Sequence, residues 1–171
     1  PPIALSGTCQ KYDRATSCAD GETVKVAVNG TLQAQTGTTS SGSFSISGVT
    51  VPSADDTVTI FVDGVVNSLE AVAVTKYDGS GDISGAKLHE DHITLGSDDN
   101  PTISNADMMK YDYSASGNDE DIFFDVNDST YNLTIDNLNQ SSQDTFYVLA
   151  GTTFRPDSSV ARTVTTYHAI N

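Results

Sequence analysis

The sequence predicts an all-β protein: an Ig-like or transthyretin-like β-sandwich, followed by a second β-rich part that carries one short helix. Three observations lead there. Short apolar–polar alternations recur along residues 1–75, each closed by Gly, Asn or Asp. The chain is rich in β-branched residues, Ser and Thr, while charged residues make up only 18% of it. One segment alone, inside "SDDNPTISNADMMKYDYSA", has the start signal and apolar spacing of a helix.

The elements are taken in chain order. "IALSGTC" (3–9) is the first strand. "ETVKVAVNG" (22–30) alternates, with Val24, Val26 and Val28 on one face and Thr23, Lys25 and Ala27 on the other. Its closing Asn-Gly is a hairpin signal, and "TLQAQT" (31–36) returns. "GSFSISGV" (42–49) turns Phe44 and Ile46 inward. "DTVTIFVDG" (56–64) sets Val58, Ile60 and Val62 on one face, and "NSLEAVAVTKYDG" (67–79) supplies another strand. The glycine-rich "KYDGSGDISG" (76–85) marks a junction. It divides the chain into a sandwich subdomain (1–75) and a β-rich second subdomain (76–157).

In the second part, "AKLHEDHITLG" (86–96) reads as one strand. The helix falls near 104–112, with Ser104 as cap, Asp107 at the capping-box position and Met108, Met109 and Tyr111 on its apolar side. "NDEDIFFDVNDSTYNLTIDN" gives two short strands around an "NDS" turn, and "DTFYVLAGTTF" (144–154) a buried one. After "RPDSS" comes a last alternating strand, "SSVARTVTTYHAIN" (158–171).

At 171 residues and 37% hydrophobic, the chain can build one large domain or two small ones. The formal net charge is −15, from 23 acidic and 8 basic residues. Such a surface repels nucleic acid and anionic lipid, which are bound through Lys and Arg. No run approaches the ~20 apolar residues of a membrane span, so membrane insertion is not expected. Cys9 and Cys18 flank a polar turn in "CQKYDRATSC". They read as a disulfide closing a small loop, worth about 2–3 kcal/mol. The alternative, a metal pair, has no further Cys to draw on. A disulfide implies a secreted, extracellular protein. "PPIALSG" agrees, reading as a mature N-terminus left by an export signal.

Several segments together resemble a known module. They are "LSGT" (5–8), "GETVKVAVNG" (21–30), "TTSSGSFSISGV" (38–49) and "DTVTIFVDG" (56–64). This part resembles the carboxypeptidase-regulatory-like or transthyretin-like β-sandwich module of bacterial surface proteins. The second part, through "LHEDHITLGSDD", "TISNADMMKYD" and "GTTFRPDSSVARTVTT", resembles the region C-terminal to that module in large repetitive bacterial cell-surface proteins. The resemblance implies a sandwich fold and a location at the cell surface. It does not imply a role, because one fold serves many functions.

Site chemistry is sparse. "HEDH" (89–92) spaces its histidines i, i+3 in a strand context, not i, i+4 on a helix as a zincin requires. Strand alternation predicts His89 and His92 exposed on opposite faces, sharing no ion. The Asp-rich loops "YDGSGD" (77–82) and "GNDEDIFFDVND" (117–128) offer Asp78, Asp82, Asp119, Glu120 and Asp121 as oxygen ligands for calcium. Turn-forming carboxylates on a solvated surface are the competing reading, and no cofactor is required. No catalytic motif is present, so an enzyme is not expected. Trp is absent, which weighs against a sugar-stacking cleft, although Tyr77, Tyr111, Tyr113 and Tyr131 are a candidate platform.

The terminal strand is the best functional clue. A free strand can complete the edge of a neighbouring copy, as in donor-strand pilus assembly. The chain ends soon after this strand, as a donor segment would. The expectation is a structural subunit of an extracellular bacterial filament, a homopolymer built by β-strand addition. Val160, Val164, Tyr167 and Ile170 are the candidate interface residues, all but Tyr167 on one strand face. The alternatives are the N-terminal "PPIALSG" as a second candidate donor, a tail folded back on its own sandwich, and a secreted or surface adhesin or ligand-binding module, with calcium dependence as one option.

Overall fold

A computed structural model describes residues 1–51, 53–64, 69–99, 101–111, 121–135 and 145–156, and the backbone of 113–114, 117–118 and 164–165. The first part contains β1 (Ile3–Gln10), β2 (Thr23–Val28), β3 (Thr31–Leu32), β4 (Gly37–Thr38), β5 (Ser43–Val49), β6 (Thr57–Asp63) and β7 (Val72–Lys76). Next come β8 (Ile83–His89), β9 (His92–Leu95), β10 (Thr102–Ile103), α1 (Asn105–Met108), β11 (Tyr113–Ser114) and β12 (Gly117–Asn118). The last are β13 (Phe124–Val126), β14 (Leu133–Ile135), β15 (Thr145–Val148), β16 (Thr153–Phe154) and β17 (Val164–Thr165). The described residues are all-β with one short helix, as expected.

Two sheets form the sandwich. One has the order β5-β1-β8; the other runs β15-β9-β7-β6-β2-β3, with β4 also paired to β2. β2 and β3 join through Asn29 (φ 48) and Gly30 (φ 76), both left-handed, as a tight two-residue hairpin needs. β3 is cut short after Leu32, and the returning strand rejoins β2 only at β4.

Between the sheets lies one core. Leu5, Phe44, Ile46, Ile83, Ala86 and Leu88 face Val24, Val26, Val58, Ile60 and Val62. A second core lies on the far face of the large sheet. Phe61, Val72, Val74, Ile93, Leu95 and Phe146 meet Met108, Tyr111, Phe123, Phe124, Leu133 and Ile135 there. Strand alternation makes this possible: Val58, Ile60 and Val62 enter the first core while Phe61 enters the second. The large sheet is therefore covered on both sides, and β6 and β9 are buried almost throughout.

The expected division near residue 76 does not divide the core. β8 pairs in parallel with β1, and β9 in parallel with β7. Segments on either side of residue 76 thus share both sheets, because each sheet needs a strand from 83–95 to complete it. The expected single strand 86–96 is also corrected. It is two strands, one in each sheet, and the chain crosses between them at Glu90–Asp91, where Asp91 has φ 56.

The helix keeps its expected start. The Ser104 side chain accepts from the Asp107 N–H while the Asp107 carboxylate accepts from the Ser104 N–H, the reciprocal capping box. It runs only to Met108, shorter than the sequence suggested. Among the described residues, no helix is long and apolar enough to cross a membrane.

Gly7 of β1 faces Ala86 of β8 in the parallel register. A Cβ there would overlap the Ala86 carbonyl oxygen and stand 2.8 Å from Phe44 Cε1. Gly7→Ala should cost about 3 kcal/mol or more in chemical unfolding; a loss below about 0.5 kcal/mol would contradict this close approach.

Candidate functional site

Two places carry functional interest: the edge that receives the terminal strand, and the corner formed by His89–His92. At the first, β13 and β14 form an antiparallel hairpin whose turn is held by Asn127, which accepts from the N–H groups of Ser129 and Thr130. β17 lies on the other edge of β14 in parallel, with Leu133 opposite Val164 and Thr134 opposite Thr165. Of the four expected interface residues, Val164 thus belongs to a strand pair within its own chain, the arrangement that a folded-back tail gives. Val160, Tyr167 and Ile170 lie outside the described residues.

At the corner, the structure overturns the expectation of two exposed histidines on opposite faces. His89 and His92 are 4% and 3% exposed, and their rings meet edge-on with centroids 5.5 Å apart. Alternation failed because the two residues do not share one strand. His89 closes β8 in the small sheet and His92 opens β9 in the large one.

Backbone hydrogen bonds fix the turn between them. Glu90 N–H donates to Gln10 O, Asp91 N–H to Glu70 O, and Thr145 N–H to Asp91 O. The corner thereby ties β1, β9 and β15 together. His92 Nδ1 donates to the Glu90 carbonyl at 2.6 Å, and His89 Nε2 donates to Gln10 Oε1 at 3.1 Å. His89 Nδ1 is left buried with no hydrogen-bond partner among the described residues.

The disulfide joins Cys9 to Cys18 as the spacing suggested, and its loop covers this corner. Within the loop, Asp13 accepts from the N–H groups of Ala15 and Thr16. The Thr16 bonds above all hold its carboxyl below the usual range. The Tyr12 ring lies 5.1 Å from the His92 ring. The Arg14 guanidinium sits 4.6 Å above the ring of Tyr147 on β15, and that ring is 5.7 Å from His89. Tyr12, Arg14 and Tyr147 were not singled out from the sequence. The "KYDR" run between the two cysteines, an aromatic and two cations in a closed loop, was the signal available.

The calcium candidates have structural work. The Asp78 carboxylate accepts from Ser80 N–H, Asp82 from Ala4 N–H, and Asp121 from Gly64 N–H. Asp119 and Glu120 lie outside the described residues. Among those described, no three His, Cys, Asp or Glu side chains converge as a metal site would require. Among the described residues, the tyrosines form no platform. Tyr77 belongs to the first core and Tyr111 to the second, while Tyr131 lies in the turn after β13. The Tyr113 side chain is not described. No protein-family model and no curated protein matches the sequence.

Burial drives both imidazoles toward the neutral form. His89 falls from 6.5 to about 4, through desolvation first and then the nearby His92, Arg14 and Lys87. His92 is lowered mainly by desolvation. The unfolded chain takes up these protons near pH 6.5, whereas folded His89 takes its own up only near 4. The His89 contribution is therefore full above 6.5, declines as pH falls toward 4, and levels off below, and His92 acts in the same direction. The loss should be about 1–2 kcal/mol after discounting for solvent at the open side of the loop. Urea unfolding at pH 7.5 and 4.5 should reveal it, and a His89→Gln/His92→Gln variant should show a correspondingly flatter slope. Equal slopes would mean the histidines do not contribute.

Proposed function

We propose that the chain is the structural subunit of an extracellular bacterial, pilus-like filament. In this homopolymer each copy adds its C-terminal strand to the next. The observation that supports this most is the parallel pairing of β17 with β14. β17 stands at the edge of its sheet and pairs with no other described strand. Backbone pairing holds it on β14, and the same segment of a neighbouring copy makes that pairing equally well. Exchange between copies therefore conserves every bond of the pair, the condition under which swapping is cheap.

Further support comes from the edge itself. The β14 edge needs a cover, or it becomes a template for unspecific pairing. A cover supplied head-to-tail does not close on itself and grows a fibre. The Cys9–Cys18 disulfide suits an oxidising exterior. The net charge of −15 keeps unassembled copies apart until the directional strand contact is made.

Electron microscopy of the protein, kept oxidised, should reveal uniform fibres. Deleting residues 158–171 should abolish them and leave soluble β-rich monomers. A second test does not depend on the truncated chain folding. Thr134→Cys with Thr165→Cys joins positions that face each other in the register. Under oxidation it should give a ladder of covalent multimers, collapsed by reductant. Fibres that persist in the truncated protein, or cross-links confined to the monomer, would refute the strand-exchange reading.

A further inference from the structure

The His89–His92 corner is neither part of the strand-exchange edge nor needed by it, yet it assembles ionisable groups from several separate segments. β8 supplies His89 and Lys87, the turn supplies Glu90 and Asp91, and β9 supplies His92. The disulfide-closed loop adds Lys11, Tyr12, Asp13 and Arg14, and β15 adds Tyr147. We propose that this corner is an acid-operated latch, in which protonation of the two histidines lifts the 11–17 loop off Tyr147 and leaves both sheets paired.

The geometry argues for each part. With Nε2 of His89 donating to Gln10, a proton can enter only at Nδ1, which has no acceptor among the described residues. The protonated ring therefore gains a buried, unpaired N–H as well as a charge. The charge arrives among cations, since Arg14 lies over the neighbouring Tyr147 ring and Lys87 is two residues away on β8. The nearest carboxylates are poorly placed to offset it. Glu90 already accepts from Tyr12 N–H and pairs with Lys11 at 3.8 Å. Asp13 is turned to its own loop, and Asp91 is a half-buried carboxylate whose proton affinity is raised by desolvation.

The loop is the part with the least to lose. It meets the corner through the Tyr12 ring and backbone N–H, the Arg14 guanidinium and the Lys11–Glu90 pair. It also holds Arg14 in the left-handed region at φ 57, which a bulky side chain disfavours. Lifting it opens a water path to both rings. The disulfide keeps the displaced loop tethered, so the movement is reversible.

Hydrogen exchange on the oxidised wild-type chain tests this, after correction for the intrinsic pH dependence of exchange. Between pH 7.5 and 4.5, exchange of amides in 11–17 should rise at least about ten-fold more than exchange of amides in β2 and β6, which follow only the loss of global stability. His89→Gln/His92→Gln should remove the step, and Arg14→Gln should move it to higher pH, because a cation that opposes protonation is gone. Unchanged loop protection at pH 4.5 would overturn the proposal. So would an equal loss of protection in the loop and in β2 and β6, because the histidines would then act on global stability alone, without a latch.

Discussion

Everything else in this fold depends on burying both faces of the large sheet. β6 shows the requirement most plainly. Val58, Ile60 and Val62 close the core toward the small sheet, and Phe61 closes the core toward the helix and the β13–β14 hairpin. The β7 region repeats the pattern, with Ala71 and Ala73 on one side and Val72 and Val74 on the other. A sheet covered twice has no room for the usual polar face. Its most deeply buried polar side chains are therefore small hydroxyls, Thr57, Thr59, Thr75 and Thr94. Thr75 meets Ser97 at 2.7 Å, but the hydroxyls of Thr57, Thr59 and Thr94 have no hydrogen-bond partner among the described residues. β-Branched shape suits the pleat well enough to outweigh that local cost.

The acidic composition gains a structural explanation from the loops. Asp20 accepts from Ser41 N–H, Asp56 from Ser53 N–H, and Asp98 from Ser84 N–H. With the roles of Asp13, Asp78, Asp82 and Asp121 described above, these carboxylates bind N–H groups in loops and, at Ala4 and Ser84, in irregular stretches of β1 and β8. A charged acceptor makes a stronger hydrogen bond than a carbonyl does. The loops of this protein are thus organised by their own side chains, and few cations are needed. Lys25–Asp63 at 2.8 Å is the tightest of the few ion pairs among the described residues.

What could be read from the sequence was whatever local chemistry decides. The Asn29–Gly30 hairpin was legible because only residues tolerant of positive φ make that turn. The Ser104 cap was legible because its partner lies three residues away. The disulfide followed from having just two cysteines. The histidine corner was not legible, because period-two reasoning assumes a continuous strand. Only the position of Asp91, a residue type that accepts left-handed geometry, hinted at a break. Tyr77 was misread as a platform candidate because a tyrosine in a turn-rich segment looks like surface. Tyr111 was half legible: its place on the apolar side of the helix agrees with its burial in the second core, and only its use as a platform fails. Parallel pairings were equally invisible, since they join segments that share no turn.

The pairing of β1 has a consequence for how the chain is made. β1 leaves the ribosome well before β8, and it packs antiparallel to β5. Its other edge waits for β8, where Gln10 meets His89. Until residue 89 has emerged, that edge is open and the small sheet lacks its third strand. Such distant pairing slows folding and prolongs the life of adhesive intermediates. A chain with this order benefits from staying unfolded until synthesis has passed β9, and then collapsing in one step.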